Sequence, residues 1–189
     1  MDRAAHLRAL LTAHPVADAE ESTHRARMLA LLAAGDDPFR RDHFSPGHFT
    51  ASAFVISHDD ARLLLILHAK LGRWLQPGGH IDLDDADVIA AARREVAEET
   101  GLSGLTLVDE AGPLLDLDIH VIPPNPRKGE PAHEHLDVRV LLRAGPDAAA
   151  RAGSDARDLR WVPLAEVNAV ESDASVMRAV AKLIARRGR

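Results

Sequence analysis

The chain has 189 residues, enough for one domain with a single substantial core. Its net charge of -6 supplies no basic field to replace the counterions of a nucleic-acid backbone, and four Phe, two Trp and no Tyr leave few rings on which bases could stack. The absence of cysteine excludes disulfides, thiolate metal sites and a cysteine nucleophile. With no apolar run approaching the roughly 18 residues of a membrane span and no signal-like start, the expectation is a soluble, cytoplasmic protein without nucleic-acid or membrane partners.

In chain order, Leu7, Leu10 and Leu11 recur at helical spacing within residues 2–13. Asp18 and Glu21 have the spacing of a capping box, opening a second helix whose apolar side carries Met28, Leu31 and Leu32 and which Gly35 to Pro38 stops. Residues 1–45 are therefore read as a helical segment that packs on the main body or on a twin subunit, and residues 46–189 as the principal domain. His48 to Ile56 and Arg62 to Leu67 predict two strands joined by a turn at Asp59 and Asp60. The unbroken apolar run Leu63 to Leu67 predicts a strand covered on both faces. Asp87 to Thr100 consists of strong helix formers and meets Gly101, a natural C-terminal cap. Further strands are expected near Leu105 to Val108, Leu114 to Ile122, His135 to Leu142 and Leu159 to Val162, and a last helix over about Ala174 to Ala185. Between them, Pro123 to Gly129 is too rich in proline for a central strand. The mixture implies an α/β or α+β layered sandwich.

The chemistry lies in Arg94, Glu95, Val96, Ala97, Glu98, Glu99, Thr100, Gly101, Leu102. On a helix Glu98 and Glu99 follow Glu95 by three and four positions, so the three carboxylates project from one side. Unpaired, they repel; an isolated string of this kind is usually a solvated acidic face, and its alternative is a set of hard oxygen ligands for a divalent ion. The run resembles the second half of the Nudix box, Arg-Glu-U-x-Glu-Glu-x-Gly-U with U aliphatic, at every specified position. Trp74 to Gly79 resembles the strand and glycine turn that precede the box helix, and Trp161, Val162, Pro163, Leu164 resembles the segment after the family's last strand. The likeness extends over about residues 48–185.

The resemblance implies a Nudix-type α/β/α sandwich with a mixed sheet and a metal-dependent hydrolase that cleaves a phosphoanhydride, X-O-P-O-P, by water attack on phosphorus. It implies Mg²⁺ or Mn²⁺ held by Glu95, Glu98 and Glu99 with the Gly78 carbonyl, one of these glutamates serving the attacking water, and Arg94 pairing with a glutamate. The box departs from the family in its first half. Thirteen residues separate the family's glycine from its arginine, whereas fourteen separate Gly79 from Arg94, and the first glutamate is missing, with Asp85 or Asp82 as stand-ins. The extra residue is expected to bulge in the loop, because slipping the helix by one residue would turn its carboxylates by about 100°. A non-catalytic Nudix-like binding module is the alternative; an isopentenyl-diphosphate-type isomerase of the same fold relies on a cysteine this chain lacks.

Outside the box, His133, His135, Asp137 and Arg139 alternate along a predicted strand and so share a face, with His120 ending the preceding strand and His80 following the glycine turn. They are read as a polar strand face or as a wall for a small phosphorylated substrate, with a zinc site built from His133, His135 and His120 as a third option. A homodimer is compatible with all of these readings.

Overall fold

The computed structural model describes residues 2–153 and 156–187. Helix α1 (Arg3–Ala13) starts at Asp2, whose side chain accepts from the Ala4 N–H at 2.9 Å. Helix α2 (Ala19–Ala33) starts at Asp18, which accepts from the Glu21 N–H at 2.8 Å. Only that half of the capping box forms. The Glu21 carboxylate accepts from the Ala17 N–H and otherwise leaves its helix for partners elsewhere.

Among the described residues, eight strands form one mixed sheet. Strand β1 (Gly47–Ile56) is buried along its whole length and runs parallel to β7 (His133–Arg143), from Gly47 opposite Glu134 to Ile56 opposite Arg143. The other side of β7 pairs antiparallel with β6 (Leu114–Ile122) and the short β5 (Thr106–Leu107). The other side of β1 takes the three-residue β4 (Gly78–His80) and the start of β2 (Arg62–His68); β2 continues to β3 (Trp74–Leu75) and β8 (Ala156–Pro163). The apolar run of β2 is covered on both faces: Leu64 enters one core, Leu63 and Leu65 the other. β1 divides its side chains in the same way, with Phe49, Ala51, Ala53 and Val55 against Phe54 and Ile56.

Helices α1, α2 and α3 (Val88–Thr100) supply the first core. Helix α4 (Ala174–Arg187) and a 3-10 helix (Leu164–Ala169) supply the second, which gives the expected α/β/α sandwich. Two features exceed the sequence reading. Residues 78–80 pair as a strand where a turn is expected, and the chain after β8 makes a 3-10 turn before α4.

Helix α2 reaches the edge strand β6, where Leu117 donates its N–H to Glu21 at 3.2 Å and accepts at its carbonyl from the His24 ring at 3.0 Å. Those contacts close a sheet edge that would otherwise offer free backbone groups. On the sheet face that α4 covers, Phe54 lies opposite Leu141. Towards the start of β1 the same face turns polar in successive rows: Ser52, Arg139 and Asp116; then Thr50, Asp137 and Asp118; then His48, His135 and His120.

Candidate active site

The box helix is fixed at both ends by its own sequence. Asp87 accepts from the N–H groups of Ile89 and Ala90, each at 2.9 Å, and Gly101 adopts φ 69°, donating to the Ala97 carbonyl at 2.9 Å. The last carbonyls are also taken: Thr100 accepts from the Arg151 N–H at 2.8 Å and Glu99 from the Gly153 N–H at 2.7 Å. Val88, Ala91, Ala92 and Val96 enter the core, which sets the rotation of the helix and aims residues 95 and 99 at β4.

The two glycines of β4 sit against close neighbours. A Cβ on Gly78 would lie 2.3 Å from the Ser52 Cβ, and one on Gly79 would lie 2.7 Å from the Glu95 carboxyl atoms. The Gly78 N–H donates to Glu99 Oε2 at 2.9 Å. The Arg94 guanidinium links the remaining carboxylates, with Glu95 Oε1 at 2.9 Å, Glu98 Oε2 at 3.1 Å, Asp85 Oδ2 at 2.9 Å and the His80 carbonyl at 2.8 Å. Asp85 also accepts from Arg94 Nε at 3.1 Å and from the Asp82 N–H at 2.8 Å. The turn over residues 82–85 closes as the Asp85 N–H donates to the Asp82 carbonyl at 3.2 Å, ahead of the helix start. Burial raises the Glu95 pKa against the pull of Arg94, while the Asp85 hydrogen bond leads the carboxylates that hold Arg94 firmly protonated. One cation among several carboxylates leaves a surplus of hard oxygen donors, a donor set that fits a magnesium-class ion.

Further along the sheet, Arg139 departs from the expected substrate wall. Its side chain is 2% exposed and its guanidinium meets Asp116 at 3.0 Å, Asp137 at 3.1 Å and Asp118 at 3.2 Å. Ser175 at the start of α4 takes two more of its N–H groups, through its carbonyl at 3.0 Å and its Oγ at 2.8 Å. Asp137 is buried as well, accepting from Thr50 at 3.2 Å and Ser52 at 2.7 Å. The reason is α4, which crosses this part of the face: Arg178 and Lys182 join the cluster at Asp116, 3.0 and 2.8 Å away, and Lys182 also pairs with Glu21. Arg139 and Asp137 are thus interior groups that tie β1, β6, β7 and α4 together. No guanidinium edge is left for a phosphate.

The family comparison decides what the glutamate helix belongs to. The NUDIX domain model matches residues 47–182, most of the chain. The chain belongs to the Nudix hydrolase family. This Nudix chain is 32% identical over 127 residues to a probable DHNTP pyrophosphohydrolase of Lactococcus lactis subsp. cremoris, covering 67% of the chain and 72% of that protein. Among solved structures, a C. elegans Ap4A hydrolase superposes with a TM-score of 0.58 at 17% identity, over 74% of this chain and 97% of the other. The E. coli dihydroneopterin triphosphate pyrophosphohydrolase gives 0.53 at 16%, over 73% and 95%. At those identities the structural likeness is one of fold.

The polar end of the Nudix sheet gathers five imidazoles. His80, His133 and His135 come together around His48, with ring centroids 5.1, 5.2 and 4.8 Å from it, and His120 lies 5.5 Å from His135. Burial and the neighbouring rings push His80 down to about 4 and His135 down to about 2, so both are neutral. His120 moves the other way: burial opposes its charge, but a 3.1 Å contact with Asp118 outweighs that and raises it. Sequence reasoning missed His48, which is fully buried on β1. The signal was there in the alternation of His48, Thr50 and Ser52, polar residues at every second position of a strand otherwise apolar.

Proposed function

We propose that this Nudix protein hydrolyses a phosphoanhydride in a nucleoside diphosphate derivative or related small molecule, with Mg²⁺ or Mn²⁺ at Glu95, Glu98, Glu99 and the Gly78 carbonyl. What supports the reading is the placement of two box glutamates on the glycine strand, Glu99 on the Gly78 N–H and Glu95 against Gly79, with Glu98 linked to Glu95 through Arg94. A bound ion supplies neutralisation of the charge that develops on phosphate oxygens. The chain's part is placement and proton transfer. Water attacks phosphorus, its proton passes to a box carboxylate, the bridging P–O bond breaks, and two phosphorylated products separate.

Arg94 is assigned to holding Glu95 and Glu98 apart from the core, and Asp85, bidentate on Arg94, to holding Arg94. We assign His80 of β4 and His120 of β6, which flank the other rings, to contacts with the substrate. The activity named for the Lactococcus relative makes dihydroneopterin triphosphate the first compound to test, alongside nucleoside triphosphates, nucleotide sugars, dinucleotides and coenzyme A derivatives. Turnover of one of these with Mg²⁺ or Mn²⁺, abolished by EDTA and by Glu99→Gln, is the expected result. Tight binding of a compound with no turnover under any ion would replace this reading with a non-catalytic binding module, and turnover that survives both EDTA and Glu99→Gln would overturn the metal mechanism.

A further inference from the structure

We propose that His48, His133 and His135 form a second metal site, selective for a zinc-class ion and distinct from the oxygen-lined box. One ring nitrogen from each can be chosen so that all three lie within 4.8 Å of one another. β1 and β7, paired in parallel, supply them: His48 lies opposite His135 and His133 stacks on His48 at 26° between planes. The tetrahedral spacing of three nitrogens around zinc is about 3.3 Å for bonds of 2.0–2.1 Å.

Independent of that proximity is the way the rings are oriented. The His48 Nδ1 lies 3.2 Å from the His43 carbonyl and the His133 Nδ1 lies 2.8 Å from the Pro131 carbonyl. A carbonyl can only accept, so each Nδ1 carries a proton, and in the neutral ring the lone pair is then on Nε2. A backbone carbonyl on the far nitrogen is the arrangement that fixes tautomer and rotation in histidine ligands. The His48 Nε2 is buried with no hydrogen-bond partner, on a residue that is itself 0% exposed. Its nearest rings are those of His80, His133 and His135, and they are the same kind of group. A cation that takes a nitrogen lone pair from each of His48, His133 and His135 would give these rings the partner that they cannot give one another.

Neutral nitrogen donors select zinc, nickel, copper or cobalt over magnesium, whereas the carboxylates of the box select the reverse. Three protein ligands leave a fourth position for water. The site does not depend on the hydrolase reading, since none of its three residues belongs to the box.

The test uses the full chain, purified without a histidine tag, titrated with Co²⁺ and Zn²⁺. The expected result is one Co²⁺ per chain with visible d–d absorption, displaced by Zn²⁺, retained in Glu98→Gln and lost in His135→Ala and in His133→Ala. Far-UV circular dichroism of the metal-free variants confirms that they are folded, and His135→Gln serves if His135→Ala is not. Absence of the absorption from the wild-type chain overturns the proposal, as does its retention in the folded His133 and His135 variants. Loss in Glu98→Gln alone would place the ion at the box and overturns it equally.

Discussion

At the residue scale, the two glycines of β4 make different predictions although they are neighbours. A methyl group on Gly79 meets only the end of the flexible Glu95 side chain, so Gly79→Ala is expected to displace that carboxylate and lower kcat/KM by about tenfold or more with little change in Tm. Gly78→Ala meets the Ser52 backbone and side chain, so it is expected to lower Tm as well. Steady-state kinetics beside thermal melts of the two variants separate these outcomes. Among the glutamates, Glu98→Gln and Glu99→Gln are expected to cut turnover by about a hundredfold or more, since the amide keeps shape and loses charge. Asp85→Ala leaves the three glutamates in place but frees Arg94; a loss of about 10- to 100-fold in activity is expected, with partial recovery in Asp85→Glu.

At the element scale, Arg139 and Glu21 show what burial does to charges. Arg139→Ala would leave Asp116, Asp118 and Asp137 without their shared cation, and a loss of about 3–5 kcal/mol in urea unfolding is expected, rather than a change in substrate binding at unchanged stability. Glu21 is buried, which alone would raise its pKa, but hydrogen bonds from His14, Lys182 and the Ala17 N–H outweigh burial and lower it to about 2. A carboxylate depressed in the folded state contributes stability that is present above its unfolded pKa near 4.5 and is lost as pH falls towards 2. Urea midpoints measured from pH 6 to 2.5 should therefore fall through that window, and the fall should be shallower in Glu21→Gln.

The same two residues show where the sequence was readable. Elements carried by local signals, the box helix with its Gly101 cap, the alternation of β7 and the two-sided apolar run of β2, are found where periodicity and capping place them. The spacing of Glu95, Glu98 and Glu99 is local too. What local spacing cannot supply is the partner across the sheet. Arg139 reads as an exposed alternating cation until β6 and α4, arriving from 23 and 36 residues away, enclose it. Glu21 reads as half of a capping box until Leu117, 96 residues on, recruits its carboxylate. His48 escapes notice for the same reason, because only the parallel register with β7 sets it against His133 and His135.

At the scale of the whole molecule, the first two helices are part of the fold's support rather than an appendage. Leu7, Leu11, Met28, Leu31 and Leu32 lie in the same core as Val88, Ala92 and Val96 of the box helix, and α2 closes the edge of β6. Removing residues 2–45 is therefore expected to give a chain that aggregates or melts well below the full-length protein, read by circular dichroism and size-exclusion chromatography, although the NUDIX match itself begins at residue 47.

The parallel pairing of β1 with β7 also dictates a timetable. The first strand of the site cannot acquire its long partner until residue 143 has been made, and Glu21 waits 96 residues for Leu117. At the usual pace of synthesis, about 5–20 residues per second, that interval lasts roughly 5–20 s, and towards its end the apolar β1 and β2 have one another and β4 as neighbours but not β7. Most of this protein's vulnerability to misassembly is thus concentrated before it is finished, and a nascent chain stalled shortly before β7 should be protease-sensitive and recruit a holdase chaperone, whereas one stalled after α4 has emerged should do neither.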